Sequence, residues 1–135
     1  MYNEKYVSSD GNKVTEKTPF AMWEEIMYEL ELHIINNDLH GGDKVPTIQE
    51  VCMLFECGHS TALKVLNMLT EEDTLYKAHG KGFYVKDDSV VNKLKEKHYN
   101  TIKREILKYI IKGKKEEIDM QQLISEAMEK ADYSK

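Results

Sequence analysis

From Pro19 onward the apolar residues recur at helical spacing. Trp23, Ile26, Met27, Leu30 and Ile34 share one face, which predicts an amphipathic helix stopping near Asn36 to Asp38. Thr18 offers an N-cap, and Pro19 takes the first helical position, where its missing N–H costs nothing. His40-Gly41-Gly42-Asp43 then breaks the pattern, and Pro46 holds off helix until Thr47. Thr47-Ile48-Gln49-Glu50 has the form of a capping box, with Ile48, Val51, Cys52 and Phe55 on one stripe behind it. That spacing predicts a helix of about eight or nine residues. Cys57-Gly58-His59 makes a turn, and Ala62, Val65, Leu66 and Leu69 form the buried side of a following helix. Ser60, Thr61, Lys64 and Asn67 fall on its opposite side.

The pattern then changes to short aromatic and β-branched runs. Thr74-Leu75-Tyr76-Lys77-Ala78 and Phe83-Tyr84-Val85-Lys86, joined by His79-Gly80-Lys81-Gly82, predict a β-hairpin with glycines where positive φ is wanted. Ser89 can cap a long helix whose stripe is Val90, Val91, Leu94, His98, Ile102, Ile106, Tyr109 and Ile110, with Gly113 expected to end it. A last helix is expected from about Asp119, capping over Gln122, with Leu123, Ile124, Ala127, Met128 and Ala131 inward. Residues 1–17 are polar and predict a flexible arm or a small hairpin joining Tyr6-Val7 to Val14-Thr15. The fold class is therefore mainly α with a small β-hairpin. A winged helix-turn-helix over residues 18–86 is followed by a two-helix dimerisation segment over 87–135.

Helix, turn, helix and wing in this order serve to set one helix in a DNA groove, and small, amide and lysine side chains at helical spacing are of the kind that reach base edges. Charge complicates that picture. The chain of 135 residues carries a net charge of −5, whereas affinity for DNA comes largely from Lys and Arg displacing counterions. Residues 43–86 hold five lysines (44, 64, 77, 81, 86) against six acids (43, 50, 56, 71, 72, 73), and the only arginine, Arg104, lies outside. A rival reading follows from this balance: a winged-helix module or co-regulator that binds another protein and binds DNA weakly or not at all.

Other chemistry finds little support. The sequence has no nucleophile elbow, no Walker-type loop and no carboxylate pair set apart from helix surface, so no catalytic residues are expected and the chain does not read as an enzyme. His33, His40 and His98 lack partners at ligand spacing, so no metal and no cofactor is expected. Cys52 and Cys57, five positions apart, read as two reduced, buried thiols. No apolar run reaches the roughly 20 residues of a membrane span and no secretory h-region is present, which predicts a cytoplasmic protein without membrane contact. The apolar stripe of Val91, Leu94, Ile102, Ile106 and Tyr109, joined by Leu123 and Met128, reads as a homodimer seam. A two-fold dimer would place two recognition helices about 34 Å apart on an inverted repeat in double-stranded DNA.

The segment Leu39-His40-Gly41-Gly42-Asp43-Lys44-Val45-Pro46-Thr47, the helix-turn-helix behind it and Gly80-Lys81-Gly82-Phe83-Tyr84-Val85 together resemble the DNA-binding domain of GntR-family bacterial transcription regulators, from about Pro19 to Lys86. The short helical tail is similar to the YtrA-like branch, whose members are homodimers that pair through their C-terminal helices and repress, in many cases, operons for membrane transporters. The resemblance implies DNA-facing roles for Thr47 and Gln49, for His59, Ser60, Thr61 and Lys64, and for His79, Gly80 and Lys81 in the wing. Asn67 joins these through its place on the polar side of the same helix. Thr47 has a compatible second role as a helix cap. Gln49 and Gly58-His59 stand where the family usually has arginine and a Ser-Arg pair, and Asp73 stands where it usually has glycine. His59 and His79 would add positive charge mostly when protonated.

Overall fold

The computed structural model describes residues 19–133, in the order α1 (Pro19–Asn36), α2 (Ile48–Phe55), α3 (His59–Glu71), β1 (Leu75–Ala78), β2 (Gly82–Val85), α4 (Val90–Lys115) and α5 (Met120–Tyr133). The expected cap at Thr18 and the arm or hairpin of residues 1–17 lie outside the described residues. Contacts divide the chain between Lys95 and Glu96, inside α4, into two units.

In the first unit α3 is the central element, packed against α1, α2 and β1. Ala62, Val65, Leu66 and Leu69 are fully buried, as their spacing predicts. They join Ile26, Leu30 and Ile34 from α1, Val51 and Phe55 from α2, and Leu75, Phe83 and Val85 from the hairpin in one apolar cluster. The capping box at α2 forms in full: Glu50 N–H donates to Thr47 Oγ1 at 3.1 Å, and Thr47 N–H donates to Glu50 Oε1 at 2.9 Å. The backbone N–H and then the hydroxyl of Thr47 hold the Glu50 carboxyl below its ordinary pKa. This contribution is therefore present above the ordinary carboxylate range and is lost as pH falls through the lowered value.

β1 and β2 pair antiparallel with Leu75 opposite Val85 and Ala78 opposite Gly82. The segment before α2 adds a short third edge, because Val45 N–H donates to Phe83 O at 3.1 Å and Val85 N–H donates to Asp43 O at 2.8 Å. Asp43 also accepts from His40 N–H through its carboxylate at 2.7 Å, and the Asp88 carboxylate accepts from Gly41 N–H at 2.8 Å. The Gly-Gly-Asp segment is thus a brace that ties the loop after α1 to the wing and to the start of α4.

Two expectations for α4 change. Val91 and Leu94, placed on the dimer seam by the helical stripe, are only 6% and 4% exposed and belong to the core cluster of the first unit. One turn of α4 completes the chain's own core before any partner could use it. Gly113 does not end the helix, which continues to Lys115. The terminator is Glu117, at φ 57, with Ile118 N–H bonded to Gly113 O and Glu117 N–H to Lys114 O. Gly113 is instead a point of close approach, since a Cβ there would lie 2.1 Å from Met120 Sδ. Asp119 caps α5 through Gln122 N–H at 3.1 Å, but the α5 stripe is not inward: Leu123 and Met128 are exposed, as are Ala127 and Ala131.

All four non-glycine residues with positive φ among those described are acidic, and each follows a helix: Asp38, Glu56, Asp73 and Glu117. Each is followed by an N–H bonded back into the last turn, as in Thr74 N–H to Leu69 O at 2.9 Å. Side chains disfavour this conformation, and a carboxylate opposes the negative end of the helix dipole. Changing Asp73 or Glu56 to glycine is expected to raise stability by about 1 kcal/mol each, read as a higher urea midpoint at unchanged slope. A lower midpoint for both would show that the acids make compensating contacts.

Candidate nucleic-acid interface

The ten residues proposed to face DNA all belong to the first unit. They occupy three places in it: the N-terminus of α2, the outer side of α3 and the tip of the wing. Gln49 is exposed beside Thr47, which is half-buried and committed through its hydroxyl to the cap. On α3, His59, Ser60, Lys64 and Asn67 are exposed and Thr61 is half-buried, so the polar side is turned away from the core on every turn of the helix. Gly58 sits at the N-cap with no side-chain hydrogen bond to the first turn. That end of α3 carries the partial positive charge and free donors that suit an anion.

Lys64 is not a loose cation. Its ammonium stands over the Trp23 ring of α1, 4.7 Å from the centroid, which fixes the direction in which the side chain leaves α3. Trp23 read in the sequence as part of the apolar stripe of α1, and no local signal connects it with Lys64, forty-one residues later.

The wing tip is built for close backbone approach. Lys81 N–H donates to Ala78 O at 2.9 Å, and Gly80 has φ +66, the glycine position of a type II turn. His79, Gly80 and Lys81 are exposed. Two tyrosines that sequence reasoning passed over support this tip. Tyr76 and Tyr84 are directly opposed across the hairpin and stack with centroids 5.7 Å apart, and the Tyr84 hydroxyl donates to Lys81 O at 2.7 Å. Their signal was present as two aromatics on the outward side of a hairpin whose inward side is Leu75, Phe83 and Val85.

Residues 23–85, which span this helix-turn-helix and wing, match the family described as bacterial regulatory proteins, gntR family. Over that segment the winged helix-turn-helix is similar to the GntR family. Over 113 residues the chain is 26% identical to YydK of Bacillus subtilis, an uncharacterized HTH-type transcriptional regulator. That match takes in 79% of this chain but 45% of YydK, so the chain spans under half the length of that curated relative. A GntR family transcriptional regulator from Listeria monocytogenes superposes with a TM-score of 0.66 at 19% identity, covering 84% of this chain and 96% of that one. A transcriptional regulator from Oenococcus oeni superposes equally well, with a TM-score of 0.66 at 14% identity over 84% of this chain and 93% of that one. At these identities the likeness is one of fold, and it extends past the wing into the helices that follow.

Among the described residues no helix is long and apolar enough to cross a membrane, and no group of three or more His, Cys, Asp or Glu is placed to hold a metal. Beyond Leu94 the exposed apolar side chains of α4 include Tyr99, Ile102, Ile106, Leu107 and Tyr109, and those of α5 include Leu123 and Met128. Ile102 is 56% exposed and Ile106 49%, a large apolar surface for a helix otherwise lined with charge.

Proposed function

We propose that this protein is a sequence-specific DNA-binding transcription regulator that acts as a homodimer and represses by occupying its promoter. The observation that carries this reading is the outward polar side of α3, with Ser60, Lys64 and Asn67 exposed while the opposite side closes the core. The GntR match over the same residues supports it. In this reading α3 enters the major groove, Thr47, Gln49 and the α3 N-terminus hold phosphates, and His79, Gly80 and Lys81 steady the duplex from the wing. Ile102, Ile106, Tyr109, Leu123 and Met128 form the seam between copies. A two-fold dimer then reads an inverted repeat with half-sites about 34 Å apart. The resemblance of the helices after the wing to YtrA-like proteins points to a transporter operon as the target, released when a signal shifts the dimer geometry.

The acid–base balance of residues 43–86 favours a second reading, a winged-helix module that docks on another regulator. Titrating promoter DNA from the protein's own operon across salt concentrations separates the two, since each neutralised phosphate adds about 0.9 to the log–log slope. A flat slope selects protein docking. Lys64→Glu is expected to weaken specific binding by about 1–3 kcal/mol, whereas Lys81→Glu weakens binding to all sequences alike. If neither change is felt, α3 and the wing do not dock as described.

A further inference from the structure

The two cysteines of the chain flank the end of α2, Cys52 in its last turn and Cys57 in the turn that leads to α3. Glu56, in the left-handed conformation, closes α2, and Cys57 N–H bonds back to Cys52 O at 3.2 Å. A helix end of this type commonly brings the side chains of the two residues so linked together, and the Cys57 thiol also donates to Val51 O at 3.9 Å. Ordinary backbone dimensions added to the Cys57–Cys52 hydrogen bond keep the two Cα atoms within about 7 Å, the outer limit of a disulfide. Both thiols are half-buried at the edge of the core. The Cys57 thiol is pushed up to about 11, first by burial and then by the Cys52 thiol beside it. Spacing alone did not reveal this pairing, because five residues of continuous helix would put the two side chains on different sides; the left-handed Glu56 brings them together.

We propose that Cys52 and Cys57 are a dithiol that closes to an intrachain disulfide by exchange with a low-molecular-weight disulfide, and that the bridge controls how α3 is presented to DNA. The second half rests on the DNA-binding reading above; bridge formation does not. Cys57 is held as the thiol, so the first attack falls to Cys52. Its sulfur gives up a proton and bonds to one sulfur of the small disulfide, whose S–S bond breaks; the departing thiolate takes the proton. Cys57 Sγ then attacks Cys52 Sγ, and the second small thiol leaves with the Cys57 proton. Two electrons and two protons pass from the cysteine pair to the small disulfide. The bridge draws the two Cβ atoms to about 3.8 Å immediately before Gly58, the N-cap of α3, and so resets the path into His59, Ser60 and Thr61.

The full chain, incubated with oxidised glutathione, is alkylated under denaturing conditions and weighed. A single chain lighter by two hydrogens and free of alkylation is expected, while Cys57→Ser stops at a glutathione adduct on Cys52. Adducts on both cysteines, chain-to-chain cross-links or two alkylated thiols would overturn the bridge. The bridged form is expected to bind promoter DNA about tenfold more weakly than the reduced form, with recovery on adding dithiothreitol and no response in the double serine variant. Unchanged affinity in a fully bridged sample overturns the control of α3. A reduced protein that binds no DNA removes the DNA-binding reading and the control together, while the mass result still decides the bridge.

Discussion

Replacing Phe83 with alanine is expected to destabilise the first unit by about 3–5 kcal/mol, the largest effect of any single change considered. Phe83 is 2% exposed and is the largest fully buried side chain among the described residues, reaching the core cluster from the wing. Its backbone carbonyl also accepts from Val45 N–H, so the residue fastens both the hairpin and the edge segment to α3. A domain of this size has a total stability of only about 5–10 kcal/mol, so the variant should unfold at a much lower urea concentration and lose the wing first. Phe83→Leu, which keeps most of the volume, should cost under about 1.5 kcal/mol. A loss below about 1 kcal/mol for the alanine variant would mean that the wing is not anchored through this ring.

Joint replacement of Ile102 and Ile106 by lysine is expected to leave the fold of each chain intact and to dissociate the proposed homodimer. Both side chains are about half exposed in the single chain, and lysine is a good helix former, so neither folding nor α4 itself should suffer. The seam would then carry two positive charges per copy facing their symmetry mates. With one half-site bound instead of two, the linkage between recognition helices is lost, and affinity for the inverted repeat should fall by roughly 10²–10⁴. Sedimentation reports the first effect and an operator titration the second. A variant that sediments as the parent does would place the seam elsewhere on the chain.

These two predictions draw on different kinds of information. The burial of Phe83 was legible from the alternation Phe83-Tyr84-Val85 in a hairpin, since a strand sends successive side chains to opposite sides. The helices of the helix-turn-helix were legible for the same reason. Their periods are short, and the cap of α2 is made by residues three apart, Thr47 and Glu50. The polar side of α3 follows directly once its buried side is known. Where the exposed part of the α4 stripe begins was not legible in this way, because Val91 and Leu94 continue the stripe of Ile102 and Ile106 without a break, although only the latter two are exposed.

The sequence by itself determined the order of the elements, the buried side of each helix in the first unit, the capping box and the glycine turn of the wing, because each depends on residues within about one or two turns of each other. Tertiary structure alone decided that Val91 and Leu94 complete the core, that Gly113 yields to Met120, that Trp23 carries Lys64 and that Cys57 returns to Cys52. Each of those outcomes depends on which surfaces come into contact, or on one left-handed residue redirecting the chain, and periodicity does not encode either.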